Sequence, residues 1–210
     1  MEYVDVDQPE ADGIVSGGEA VTREVTTYHL HMNDARELTS RPAPVGMSVS
    51  QLRPPNPQIN HSFFMEIGTP YRWYSRLDWS LTDWKEYANH PDVATWVGLF
   101  HGCPFGYFEL QRRQPSETEI MFFGIFSVYR GQGLGAALLK SAVQEAWALA
   151  GTGRVYVHTC SSDHTAALSN YLSRGFSLSS EQTETETMPD AGDLLWSSPR
   201  YYRTIQTGTS

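Results

Sequence analysis

Cysteine and basic residues are scarce in this sequence. Only Cys103 and Cys160 occur among the 210 residues, which leaves no disulfide framework and no CxxC pair for a metal. We therefore predict no metal site and a reducing, cytoplasmic location. Lysine and arginine number 15 against 24 aspartates and glutamates, for a formal net charge of −9. This charge argues against a nucleic-acid partner, and it fits either a cationic substrate or a surface that is charged only for solubility.

Long hydrophobic runs are also missing. No apolar stretch approaches membrane-spanning length, and the acidic residues 1–5 lack the basic and apolar regions of a secretory signal. We expect a soluble protein without a membrane partner. Residues 1–22 contain few large apolar side chains, so we predict a disordered tail there and a single domain over residues 23–210.

The remaining sequence alternates strand-like and helix-like segments. Apolar and β-branched composition predicts strands at residues 25–32, 47–53, 94–100, 105–111, 119–126, 154–160, 178–187 and 194–205. Apolar residues at helical spacing predict helices over residues 60–67, from an N-cap at Ser80 to Tyr87, between Gly133 and Gly151, and over residues 166–172. The strand at residues 119–126 is expected to be internal, because both of its faces are apolar. Alternation places Glu119, Met121, Phe123 and Ile125 on one face and Ile120, Phe122 and Phe126 on the other.

A glycine-rich loop stands between this strand and the longest predicted helix. It reads Arg130-Gly131-Gln132-Gly133-Leu134-Gly135. Glycine lets backbone N–H groups approach a ligand closely, and the helix start adds unpaired donors, so the loop is typical of a diphosphate cradle. Gly131, Gly133 and Ala136 also fit a loose dinucleotide fingerprint, which leaves a nicotinamide-dependent oxidoreductase as an alternative. However, the next strand does not end in the acidic residue that such a site uses for ribose.

The strand and loop together resemble the acetyl-CoA motif of the GNAT superfamily of N-acyltransferases. The resemblance covers about residues 93–178. It implies an α/β fold, the GNAT fold, in which helices flank a central mixed, mostly antiparallel sheet with splayed central strands. It implies acetyl-CoA as the co-substrate and no metal. The implied cofactor-binding residues are Phe123, Gly124, Ile125, Arg130, Gly131, Gln132, Gly133, Leu134, Gly135 and His164, the last standing where the family often has asparagine.

The resemblance also assigns catalytic roles. Glu119 lies on the strand where several relatives carry a general base, and we expect burial to raise the pKa of its carboxyl group. A structural salt bridge is the alternative role for Glu119, and Glu109 is the second candidate base. Tyr171 precedes Gly175 by four residues, which is similar to the FYxxxGF signature whose tyrosine is the general acid. A purely structural aromatic residue is the alternative there.

The acceptor side is less defined. Aromatic residues concentrate at residues 71–84, and Trp73, Tyr74 and Trp79 are the candidate substrate-binding residues, unless they form a core layer. We predict transfer of an acetyl group to a primary amine of a small molecule in a ternary complex. Acetylation of a protein amine and a catalytically silent, acyl-CoA-binding regulatory module are the alternatives, and a homodimer is left open.

Overall fold

The computed structural model describes residues 21–39, 42–113 and 116–188, and these form one sheet with flanking helices. The strands are β1 (Val21–Met32), β2 (Met47–Gln51), β3 (Val93–Phe100), β4 (Cys103–Arg113), β5 (Glu117–Ile125), β6 (Arg154–Cys160) and β7 (Ser177–Met188). The helices are α1 (Pro57–Gly68), α2 (Leu81–Ala88), α3 (Leu134–Ala148) and α4 (Ala167–Leu172). The predicted strand at residues 194–205 and residues 1–20 of the predicted tail lie outside the described residues.

The sheet has the order β2-β3-β4-β5-β6-β1-β7. Neighbouring strands are antiparallel except for β5 and β6, which run parallel. This is the mixed, mostly antiparallel sheet that the sequence predicted, and β5 is internal as expected. β1 begins four residues earlier than predicted, at Val21, because it pairs with β7 along its whole length.

Local signals account for the helix boundaries. Asn56 caps α1 by accepting hydrogen bonds from two backbone N–H groups, and Pro57 occupies the first turn, where a missing N–H is harmless. Ser80 and Asp83 form a capping box at the start of α2. Both helices pack on one face of the sheet, and α3 packs on the other. None of the described helices is both long and apolar enough to cross a membrane.

The two parallel strands separate at the centre of the sheet. β5 and β6 pair only from Glu117 to Ile120 on β5 and from Arg154 to Val157 on β6. Beyond these residues the strands diverge, as the predicted splay requires. Because the edge of β5 beyond Ile120 has no partner on β6, its backbone groups can serve a ligand instead of the sheet.

A β-bulge in β5 overturns the predicted alternation of faces. Leu110 pairs with Ile120 and Glu109 with Phe122, which leaves Met121 without a partner on β4. The extra residue reverses the side-chain pattern after it. Ile120 therefore lies in the same core as Phe123 and Ile125, against α3, whereas Phe122 packs with α1 and α2. The prediction that Glu119 shares a face with Phe123 and Ile125 was wrong for this reason.

Candidate active site

A cavity of about 560 Å³ lies where β5 and β6 diverge, and we call it the splay cavity. Side chains from both sides of the sheet line it, including Ala136 and Leu139 of α3 and Ile67 of α1. It therefore passes between the two strands. The glycine loop and the aromatic segment at residues 71–75 both line it, and they adjoin, because the guanidinium of Arg130 lies 5.4 Å from the centroid of the Tyr71 ring. We call the part lined by Trp73, Tyr74 and Asp163 the aromatic end.

The glycine loop contributes Arg130, Gly131, Gly133 and Gly135 to the lining of the splay cavity. Gly131 and Gly133 have φ angles of 76° and 77°, which side-chain-bearing residues rarely adopt, and both line the cavity. Gly133 caps α3, and the N–H of Ala137 is the first that bonds within the helix, to the Gly133 carbonyl at 3.1 Å. The preceding N–H groups and the guanidinium of Arg130 can bind a diphosphate.

The side chains of Gln132 and Leu134, two of the predicted cofactor-binding residues, do not line the splay cavity. Leu134, the first residue of α3, is fully buried in the core. The side chain of Gln132 bonds the carbonyl of Val128 at 3.3 Å and does not line the splay cavity. Either residue can therefore contribute only its backbone N–H to a bound diphosphate.

The unpaired part of β5 forms one wall of the splay cavity. Phe123, Gly124 and Ile125 all line it. A Cβ atom at Gly124 would lie 2.4 Å from Cγ2 of Ile67 and 3.6 Å from Cη2 of Trp73, so only glycine fits between this strand and α1. The wall and the loop together suit a narrow chain that ends in a diphosphate, as coenzyme A does.

Tyr171 and His164 face the splay cavity from the far side. Tyr171 is buried in α4, burial raises the pKa of its hydroxyl, and no other described residue hydrogen-bonds that hydroxyl. The ring of Tyr171 meets Phe123 edge to face. His164 also lines the cavity, and its Nδ1 accepts a hydrogen bond from the N–H of Ala166 at 3.1 Å.

Glu119 lies beside the splay cavity, in a polar furrow on the sheet surface. The furrow has a volume of about 480 Å³ and is lined by Thr27, His29, Glu119, Tyr156, His158, Gln182, Glu184 and Glu186. Oε2 of Glu119 accepts a hydrogen bond from Nε of Arg113 at 2.7 Å, and Oε1 lies 3.2 Å from Nδ1 of His158. Burial acts to raise the pKa of Glu119, but its hydrogen bonds to His158 and Arg113 lower it overall. The predicted increase in this pKa was therefore wrong.

Glu109 is not brought to the splay cavity. Its carboxylate is fully buried beneath α1 and α2, and it accepts hydrogen bonds from Asn60 at 2.7 Å, Arg76 at 3.0 Å and Tyr87 at 2.8 Å. A carboxylate with these three donors and no exposed surface cannot take a proton from a substrate. The buried hydrogen bonds of Glu109 therefore support a structural role for this residue, and not the role of second candidate base.

The aromatic segment divides into two parts. Trp73 and Tyr74 line the splay cavity, and their role in acceptor binding stays a prediction. Trp79 does not line it. Its ring packs on Trp84 and Tyr87, with the guanidinium of Arg76 4.5 Å from the ring centroid. Trp79 therefore belongs to the core layer that the sequence offered as the alternative.

Sequence reasoning missed two polar residues of the site. His158 lines both the splay cavity and the polar furrow. Asp163 follows β6 and accepts hydrogen bonds from Trp73 Nε1 at 3.1 Å and Thr159 Oγ1 at 2.7 Å. The position of His158 on β6 was visible in the sequence, but its partner Glu119 could be identified only from the strand register. The described residues contain no cluster of three histidine, cysteine, aspartate or glutamate side chains that could hold a metal.

Solved structures with the same architecture come from several organisms. A GCN5-related N-acetyltransferase from Kribbella flavida matches with a TM-score of 0.58 and 15% identity over 80% of this chain and 60% of that chain. A GCN5-related N-acetyltransferase from Sphaerobacter thermophilus matches with a TM-score of 0.57 and 17% identity over 83% and 55%, respectively. An aminoglycoside acetyltransferase from an uncultured soil metagenomic sample matches with a TM-score of 0.51 and 15% identity over 61% and 87%.

These structural similarities show the fold alone, because the identities are low. The chain spans only 60% and 55% of the length of the first two relatives. No curated protein matches the sequence. The Acetyltransferase (GNAT) family, in contrast, matches residues 58–176, which is more than half of the chain and includes the glycine loop, both splayed strands and Tyr171. The chain therefore belongs to the GNAT family of acetyltransferases.

Proposed function

We propose that this protein transfers an acetyl group from acetyl-CoA to a primary amine of a small molecule, directly and within a ternary complex. The splay cavity is the observation that carries the proposal. It is lined by the glycine loop and α3, by the free edge of β5, and by Ile67 and the aromatic segment. A donor bound along β5 and an acceptor bound at the aromatic segment can thus meet in one cavity, which direct transfer requires.

The donor side is formed by the glycine loop and the free edge of β5. Arg130 and the backbone N–H groups of residues 131–135 bind the diphosphate, and Phe123 to Ile125 bind the extended arm. Acetyl-CoA supplies an acyl group in thioester linkage, and its transfer forms a C–N bond, breaks a C–S bond and leaves a thiolate that must be protonated. Backbone N–H groups near Ile125 polarise the acyl carbonyl.

Two side chains account for the proton movements. Glu119 provides the carboxylate on which removal of the amine proton depends. Tyr171 lines the splay cavity and provides the proton for the departing sulfur. Burial raises the pKa of its hydroxyl, which keeps the proton in place at neutral pH but makes the hydroxyl a weaker acid, and solvent restores the proton after each transfer. The presence of both groups favours an enzyme over a catalytically silent acyl-CoA-binding module.

The acceptor end favours a small cationic molecule. Trp73 is hydrogen-bonded to Asp163, and Tyr74 donates a hydrogen bond to Glu186, so residues 71–75 are fastened across this end of the cavity. We infer that this cover over part of the cavity favours a small molecule over a peptide. Asp163 and Glu186 supply negative charge that attracts an ammonium group, and Arg72, which also lines the cavity, supplies positive charge. The two free thiols, Cys103 and Cys160, support a reducing, cytoplasmic setting.

Calorimetry and a thiol-release assay test this function. We expect acetyl-CoA to bind, NADH not to compete with it, and free thiol to appear only when a small primary amine is added. If calorimetry detects no binding of acetyl-CoA, the proposal is wrong. Binding without thiol release, across a panel of small amines and lysine peptides, would identify the silent module instead, and release with peptides alone would identify a protein acetyltransferase.

A further inference from the structure

His158 stands between the splay cavity and Glu119. The side chain of His158 is 44% exposed and lines the cavity, whereas the side chain of Glu119 is only 7% exposed and does not line it. An amine that enters from the aromatic end therefore meets His158 before it can reach the carboxylate. Direct proton transfer from that amine to Glu119 would require the imidazole to move aside.

The carboxylate of Glu119 is already engaged on both oxygens. Arg113 bonds one oxygen at 2.7 Å, and His158 Nδ1 lies 3.2 Å from the other. An ionised carboxylate can only accept hydrogen bonds, so the nitrogen that faces it must carry the proton. This fixes the neutral imidazole as the Nδ1–H form and leaves Nε2 with its lone pair.

The lowered pKa of Glu119 makes its carboxylate a weak base. The neutral imidazole of His158, in contrast, offers the lone pair of Nε2 as a proton acceptor. A buried anion beside it stabilises the imidazolium that forms when it accepts a proton, which is the relationship between the acidic and the imidazole members of a catalytic triad. Glu119 thus supplies the negative charge, and His158 supplies the nitrogen that accepts the proton.

We propose that His158 is the catalytic base, and that Glu119 is a positioning residue that orients it. The inference rests on the proposed acetyl transfer and deepens it. In this step an N–H bond of the acceptor's ammonium group breaks, its electron pair stays on the amine nitrogen, and the proton moves to Nε2 of His158. The neutral amine can then attack the acyl group, and the imidazolium returns its proton to solvent.

His158 also lines the polar furrow, where its exposed side chain can release that proton to solvent. The ring of His29 lies 6.3 Å from that of His158, and Nδ1 of His29 is hydrogen-bonded to the hydroxyl of Tyr156 at 2.5 Å. Several titratable groups surround His158 and will shape the pH dependence of the rate. They are Glu119 on β5, His29 on β1, Tyr156 and Cys160 on β6, Asp163 after it, and Glu184 and Glu186 on β7.

Substitution of His158 tests the proposal in the purified, full-length protein. With an amine that the wild type acetylates, we expect His158→Gln to lower kcat by roughly a hundred- to ten-thousand-fold. Its acetyl-CoA affinity and thermal midpoint should change little. The decline in kcat/KM at acidic pH should disappear, and imidazole added to His158→Ala should restore part of the rate. His31→Gln is the matched control, because His31 lies on the same sheet face but bonds Ser179 outside the splay cavity.

A wild-type rate in His158→Gln, or an unchanged acidic limb in its pH profile, would overturn the assignment while leaving acetyl transfer intact. A second measurement does not depend on activity. Nitrogen-15 NMR of the histidine side chains should show His158 as the Nδ1–H tautomer in the wild type and a mixture in Glu119→Gln. If the wild-type ring is the Nε2–H tautomer, the proposed base is wrong whatever the enzyme acetylates.

Discussion

The indole Nε1 of Trp73 donates a hydrogen bond to Oδ1 of Asp163 at 3.1 Å, between residues 90 positions apart in the sequence. The bond joins the segment after α1 to the loop after β6, across the mouth of the splay cavity. Asp163 is itself held by Thr159 Oγ1 at 2.7 Å and by the N–H of Cys160 at 3.1 Å. The acceptor end of the site is therefore shaped by contacts between distant parts of the chain.

Removal of the Trp73 donor should affect the acceptor more than the donor substrate. Trp73→Phe keeps an aromatic ring but loses the hydrogen bond, which contributes about 1 kcal/mol, or about a fivefold effect on binding. We expect the KM for the amine to rise about fivefold and the Kd for acetyl-CoA to stay constant. Trp79→Phe is the control, because Trp79 packs on Trp84 and Tyr87 and does not line the splay cavity. It should lower stability but leave the amine KM unchanged, and an equal rise in both variants would refute this account.

The glycine loop and a glycine outside it offer a matched comparison. Gly131 and Gly151 have φ angles of 76° and 87°, and a Cβ atom at either would meet nothing within 4 Å. Alanine at either position should therefore lower the free energy of unfolding by about 1–2 kcal/mol through backbone strain. Only Gly131→Ala should weaken acetyl-CoA binding in calorimetry, by about tenfold or more, because the strained loop misplaces its N–H groups. Equal affinities in the two variants would place the diphosphate elsewhere.

Tyr171→Phe should slow acetyl transfer without loss of acetyl-CoA binding. The variant lacks the proton for the departing sulfur, and we expect kcat to fall by roughly a hundredfold or more. Because burial raises the pKa of the hydroxyl, wild-type activity should not decline from ionisation of Tyr171 below about pH 10. Tyr28→Phe is a suitable control, since Tyr28 lies outside the splay cavity. If steady-state kinetics show the wild-type kcat for Tyr171→Phe, Tyr171 is not the general acid.

Glu119 should make folding stability depend on pH in a defined direction. Its pKa is lowered in the folded state, so its carboxylate stabilises the fold fully above the unfolded-state pKa. This contribution is lost as pH falls through the folded-state pKa. We expect Glu119→Gln to be less stable than the wild type at pH 7, by about 1–2 kcal/mol.

Denaturant unfolding at a series of pH values measures this effect. The difference between the wild type and Glu119→Gln should shrink as the pH decreases from about 6 to about 3. A difference that widens at low pH would mean that the folded-state pKa is raised, as the sequence alone had suggested. The same variant should lower kcat by roughly a hundred- to ten-thousand-fold with little change in the Kd for acetyl-CoA.

Glu109 should matter for stability and not for chemistry. Its fully buried pair with Arg76 means that Glu109→Gln leaves a buried guanidinium uncompensated, which costs about 3–5 kcal/mol in comparable buried pairs. Asp92→Asn, at the exposed pair with Arg112, should change the free energy of unfolding by less than about 0.5 kcal/mol. Chemical denaturation measures both. If Glu109→Gln is stable but inactive, Glu109 has a catalytic role that its burial does not explain.

Local chemistry made much of the fold predictable from the sequence. The capping box of Ser80, the glycine loop before α3 and the β-branched run at β6 each depend on residues that are neighbours in the chain. The same is true of the diphosphate end of the site, because a glycine turn and the helix start that follows it are one continuous segment. The secondary-structure elements were predicted correctly, or to within a few residues, whereas diphosphate binding by the loop stays a prediction.

The tertiary structure decided the features that depend on register and on long-range contacts. The bulge at Met121 reversed the faces of β5, and no local signal marks it, because strand register is fixed by pairing with β4. The environment of Glu119 depends on Arg113 and His158, which come from two other strands. A pKa is set by such partners as much as by burial, so the sequence could identify the carboxylate but not the sign of its pKa shift.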